Sequence, residues 1–140
     1  MSWMVWSLLA AFFAGLTAIL AKIGVTGVDS NLATAVRTAV VLIFSWAIVL
    51  ATQPASAVFG FSKRTWLFLI LSGLATGCSW LCYFRALQLG DAGKVAPIDK
   101  LSVVFVILLA ALFLGEALTW RSAVGATLIT AGAVILASGS

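Results

Sequence analysis

Five apolar runs, each about the length needed to cross a bilayer, alternate with short stretches of polar and glycine residues along the chain. A hydrocarbon core about 30 Å thick takes ~20 apolar residues in helical form. Runs meeting that demand lie at Trp3–Ala21, Leu32–Ala51, Trp66–Leu89, Val95–Leu114 and Trp120–Ala137. None shows the period-two alternation of a membrane β-strand, and lipid leaves no backbone group unpaired, so each run predicts a spanning helix. The expected fold class is an all-α membrane protein: a bundle of five transmembrane helices forming one domain over residues 1–140.

The connections carry turn chemistry. Gly24 and Gly27 precede Asp29, Ser30 and Asn31, which are candidate N-caps for the second span. Residues 52–65 form the longest connection, with Pro54, Gly60 and the pair Lys63–Arg64. Residues 90–94 predict a tight hairpin, and Gly115–Glu116 marks the turn into the fifth span. Trp3, Trp6, Trp66 and Trp120 fall at span ends, where an indole keeps its ring in lipid and its N–H wet. Trp46 and Trp80 lie well inside their spans.

Composition agrees with the pattern. Of 140 residues, 64% are hydrophobic and 9% charged, whereas a soluble domain carries about 25% charged residues. The net charge of +4 could suggest nucleic acid, but the charges sit at the ends of apolar runs and read as membrane anchors. The N-terminus lacks a basic leader region, so the first run reads as a span rather than a signal peptide. Lys22, Lys94, Arg37, Arg85 and Lys100 fall on one side of the membrane, and Lys63, Arg64 and Arg121 on the other, so neither side dominates and orientation is weakly specified. Histidine is absent, which removes the usual base, proton switch and metal ligand. Cys78 and Cys82 share one face of the third span and read as small packing residues. No P-loop, dinucleotide fingerprint or metal-ligand cluster occurs, so neither catalysis nor a cofactor is expected.

Polar side chains inside the spans carry the functional signal. In the third span Ser72, Thr76, Ser79, Tyr83 and Ala86 form a stripe leading to Gly90. It turns either to a cavity or to neighbouring helices, which small and hydroxyl residues let approach. Gly73 and Gly77 beside it favour helix packing, as do Gly125 and Gly132 in the fifth span, where Gly139 continues a period of seven. Arg37 lies in the second span with Thr34, Thr38 and Ser45 on the same side. A guanidinium there either snorkels to the interface or faces protein, water or a carboxylate. Pro97 suits the first turn of the fourth span, followed by Asp99 and Lys100, which either complement the helix end or face a cavity as partners of Arg37 or a solute. Arg85 and Glu116 read as interfacial charges.

Tyr83-Phe84-Arg85-Ala86-Leu87, Leu112-Phe113-Leu114-Gly115-Glu116 and Gly125-Ala126-Thr127-Leu128-Ile129 with Gly132 resemble, in order and spacing, the EamA-type domain of the drug/metabolite transporter superfamily. Arg37 matches the arginine usual in its second span, and Lys22 a frequent lysine closing the first. Full-length relatives usually hold two five-helix units in inverted orientation, so this single unit implies a homodimer. An antiparallel pair fits the weak charge bias; a parallel dimer and a different partner chain are the alternatives. Two departures stand out. The proline common early in the fourth span would fall near Val103, whereas Pro97 stands earlier, and residues 95–101 look like the single-unit branch of the family. The first span also lacks the glutamate of small multidrug resistance antiporters.

The resemblance implies a secondary transporter in a bacterial or archaeal inner membrane, an exporter working by alternating access. Its candidate cavity residues are Arg37, Trp46, Ser79, Trp80, Tyr83, Asp99 and Lys100. The excess of Arg37 and Lys100 over Asp99 points to an anionic or zwitterionic metabolite, such as an amino acid. The alternative is a non-transporting assembly subunit or a lipid-flippase component, in which case the polar stripes are packing surfaces.

Overall fold

The computed structural model describes residues 2–139, all in helices, turns and short links, with no strand among them. Helix α1 is Trp3–Gly24, α2 is Ser30–Thr52 and α3 is Lys63–Leu89. The fourth apolar stretch, Ala92–Leu114, is divided into α4 (Ala92–Asp99), α5 (Ser102–Leu109) and a π-helical turn, Ala110–Leu114. Helix α6 is Trp120–Ser138. All five expected spans are present, each long and apolar enough to cross a membrane, and the chain is a multi-pass integral membrane protein in a lipid bilayer.

Local chemistry sets the ends. Between α1 and α2 the chain turns at Gly27, whose φ of 74° is a left-handed conformation that glycine adopts without strain. Asp29 then caps α2, its Oδ1 accepting from the N–H groups of Asn31 and Leu32 at 3.0 Å each. A 3-10 turn at Ala55–Gly60 fills the long connection, and Ser62 opens α3 by accepting from the Thr65 N–H at 3.1 Å. Thr119 does the same for α6 through Ser122. Gly115, at φ 69°, stops the fourth span, and its N–H and that of Glu116 both reach back to the carbonyl of Ala110.

The fourth span departs from the sequence reading. Helix α4 starts earlier than expected, because the Asp91 carbonyl accepts from both Lys94 and Val95. Pro97 therefore falls inside the helix, not in its first turn. It has no N–H to donate one turn back, and α4 ends two residues later. Through the joint the bonds tighten to the i→i−3 pattern: Lys100 to Pro97 at 3.1 Å, Leu101 to Ile98 at 3.0 Å and Val104 to Leu101 at 2.9 Å. Helical geometry resumes at Ser102.

The chain divides into two compact units. One contains α1 as far as Ile23 and everything from Leu89 onward; the other is Gly24–Gln88. In the first, α4 and α5 pack on α6, Ala18, Ala21 and Ala133 are buried, and the Lys22 ammonium donates to the Gly90 carbonyl at 2.8 Å. In the second, the buried side chains are Val25, Ser30, Thr34, Phe84 and Leu87, all where α2 begins and α3 ends. At that end Gln88 donates from Nε2 to the carbonyls of Val25 and Val28 and accepts from Arg85. Elsewhere the helices present large apolar side chains outward, among them Phe12, Ile43, Phe44 and Leu74, as a surface meeting lipid should.

Candidate functional site

The Gly24–Gln88 unit holds a groove of about 490 Å³ between α2 and α3. On α2 it runs from Thr38 to Val49, about 16 Å at ~1.5 Å of rise per residue. Thr38, Ser45, Trp46 and Val49 line it from α2; Leu69, Ser72, Gly73, Thr76, Gly77 and Trp80 line it from α3. Its walls are mostly apolar, and it is an open trough rather than a sealed void. The two glycines give it depth: a Cβ built on either would meet no atom within 4 Å.

Arg37 stands beside the Thr38–Trp80 end. Its guanidinium carbon lies 4.3 Å from the centre of the Trp80 ring and 5.2 Å from that of Phe84. The half-buried Tyr83 phenol is close enough to interact with it electrostatically. Arg37 sits about 10 Å past the start of α2 at helical rise and is half-buried. An arginine at the centre of a membrane helix costs about 2.5–3.5 kcal/mol on insertion scales, and less towards its ends. A cation–π contact returns about 0.5–2 kcal/mol according to its exposure, so the two rings offset part of the cost without neutralising the charge. No carboxylate pairs with Arg37 among the described residues, and residues 30–88 contain no Asp or Glu.

The hydroxyls are arranged unevenly. Thr38 donates its proton to the Thr34 carbonyl at 2.7 Å and Thr76 to the Ser72 carbonyl at 2.9 Å, so both offer only oxygen lone pairs to the groove. The indole N–H groups of Trp46 and Trp80 bond to no other described residue, leaving two donors beside the five of the guanidinium.

Of the residues singled out from sequence, Trp46 and Trp80 line the groove, and Arg37, outside the lining, stacks on Trp80 with Tyr83 close to it. Ser79 is exposed on α3 and does not line the groove. The face of α3 that lines the groove is rotated from the expected stripe: it follows Ser72, Gly73, Thr76, Gly77 and Trp80. Asp99 and Lys100 belong to the other unit, where they form an exposed ion pair with each other at 3.5 Å. Lys100 also edges a shallower groove of about 420 Å³ between α4 and α6, with Pro97, Gly132 and Ala133. Gly125 and Gly132, like Gly73 and Gly77, have open space where a Cβ would point. Among the described residues no group of three or more His, Cys, Asp or Glu side chains could hold a metal. No pattern in the sequence marks Gln88 as a tie or Phe84 as the second ring over Arg37; only the helical spacing of Trp80 and Phe84 carries any trace of the latter.

Five apolar spans, one of them broken, and an α2–α3 groove with a cation beside one end define a helical membrane protein of the transporter class. The chain belongs to the EamA-like transporter family, which matches residues 1–138, and is a transporter rather than an enzyme. It is 54% identical over 136 residues to an uncharacterized transporter in the cobO 3′ region of Sinorhizobium sp., covering 97% of this chain and 96% of that protein. It is also 35% identical over 96 residues to a probable 4-amino-4-deoxy-L-arabinose-phosphoundecaprenol flippase subunit, ArnE, of Erwinia tasmaniensis, covering 69% of this chain and 89% of that one. No solved structure matches the chain.

Proposed function

We propose that two copies of this chain form a secondary transporter that exports a small organic anion, of about amino-acid size, across a bacterial or archaeal inner membrane. One observation carries the solute reading: Arg37 is held within the second span by Trp80 and Phe84, beside one end of the groove, with no carboxylate among the described residues to neutralise it. The dimer reading is supported by the Sinorhizobium relative, a single-unit chain of matching extent, and by an odd number of spans, which lets two copies inserted in opposite senses make an inverted pair. The weak charge asymmetry of the connections suits such dual insertion. Alternating access then consists of the two copies rocking about the solute, with the cavity residues Arg37, Trp46, Trp80 and Tyr83 on the path.

The test is flux into proteoliposomes made with the purified chain and a panel of radiolabelled organic anions. Saturable flux that falls at least about tenfold in Arg37→Ala, in line with the loss of a charge-assisted bond, is the expected result. Absence of flux for the whole panel overturns the reading. A second reading rests on the Erwinia relative, whose name makes it a flippase subunit: this chain then works with a different five-span partner, on a lipid-linked solute. Co-purification of such a partner, with flux restored only in its presence, would favour it.

A further inference from the structure

We infer that the α2–α3 groove takes an amphipathic anion without a free ammonium group, its carboxylate or phosphate on Arg37 and its apolar body laid along the trough past Trp80 towards Trp46. This rests on the transport reading for its biological meaning, but it is a statement about binding.

The groove is rich in donors and poor in acceptors. Arg37 supplies a planar fork suited to two oxygens of one anion, and the Trp46 and Trp80 N–H groups have no partner among the described residues. The acceptors nearby are neutral hydroxyl oxygens, those of Ser45 and Ser72 and those of Thr38 and Thr76, whose protons are held by backbone carbonyls. Asp29 is the carboxylate closest in sequence, and its Oδ1 is engaged in capping α2.

An α-amino acid carries its ammonium on the carbon beside the carboxylate. Seating the carboxylate on Arg37 therefore brings the ammonium next to the guanidinium, where it is repelled and has no anion to meet. One face of the Trp80 ring, which could have held a second cation, is already covered by Arg37. The apolar remainder of the ligand fits the rest of the trough: Val41, Leu42, Val49 and Leu69 line it beyond Trp80, and Gly73 and Gly77 leave room for a ring or chain against α3. The site thus discriminates by charge at one end and by shape along its length.

Three compounds sharing one skeleton test this: 3-phenylpropanoate, phenylalanine and phenethylamine, being anion, zwitterion and cation. Binding is followed by tryptophan fluorescence with the full chain in phosphatidylcholine nanodiscs, against empty discs. The anion should bind at least about tenfold tighter than either of the others, the scale of one charge-assisted hydrogen bond. Arg37→Gln should bring the three to within about twofold of one another, whereas Arg37→Lys keeps part of the preference and Arg64→Gln keeps all of it. Equal or tighter binding of phenylalanine or phenethylamine, survival of the preference in Arg37→Gln, or no binding of any probe overturns the inference. Flux is measured separately in proteoliposomes: anion-selective binding without flux counts against transport alone, and flux without anion preference counts against this inference alone.

Discussion

Replacing Gly77 by leucine separates the groove from the fold. A Cβ at this position meets nothing within 4 Å, so the new side chain enters open space without displacing its own chain. Leucine also favours a helix over glycine by about 0.6–0.9 kcal/mol, so stability should hold or rise by up to that amount. The groove is about 490 Å³. Four added carbons, each taking space comparable to the ~30 Å³ of a water molecule, would fill roughly 100 Å³ of it. A solute forced to share the remainder faces an overpacking cost of about 1–3 kcal/mol, which is a five- to 150-fold loss of affinity. The assay is 3-phenylpropanoate binding in nanodiscs beside thermal unfolding of the same sample. Unchanged binding with unchanged stability refutes the placement of solute in this groove. A fall in stability greater than about 1 kcal/mol would show instead that Gly77 seats against a second chain, the helix-packing role its spacing first suggested.

Gln88→Leu removes the donor that ties the carbonyls of Val25 and Val28; the protein should lose about 1–3 kcal/mol, read as a lower unfolding temperature, and an unchanged value contradicts the tie. Gly115→Ala places a side chain at φ 69° and should cost about 1–2 kcal/mol by the same measurement, with no change expected in solute binding. Pro97→Ala restores a donor inside α4, so amide exchange across residues 100–104 should slow; an unaltered rate means that the joint does not depend on the proline. For an antiparallel dimer, tags at both termini should be reached from both sides of the membrane in intact cells, and accessibility from one side only points to a parallel pair or another partner.

The spans were legible because length and apolarity suffice to identify a membrane helix, and Asp29, Gly27 and Gly115 announce turns through their own backbone preferences. Arg37, Trp46 and Trp80 were legible as exceptions, polar or bulky groups at depths where lipid would not tolerate them unaided. Polarity along α3 marks Ser72, Thr76, Ser79 and Tyr83, of which Ser72 and Thr76 line the groove; the groove is shaped as much by the missing side chains of Gly73 and Gly77 and by the bulk of Trp80. Polarity patterns do not register empty space. The break at Lys100 was hidden because the start of α4 depends on which carbonyl Lys94 and Val95 find, and only that start decides whether Pro97 opens a helix or interrupts one. Lys22 and Gln88 bond to carbonyls sixty or more residues away, and every residue has a carbonyl, so no pattern marks such partners in advance.

Solute passage through this protein requires the α2–α3 trough to be a wet path inside the membrane. In a background with Cys78 and Cys82, both exposed and free, changed to serine, single cysteines at Thr76 and at Leu74 probe the lined and the outward face of α3. A charged, water-soluble thiol reagent should modify the Thr76→Cys chain in proteoliposomes, more slowly when 3-phenylpropanoate is present, and leave the Leu74→Cys chain unmodified. Inert cysteines at both positions, or equal labelling that no probe slows, would contradict it.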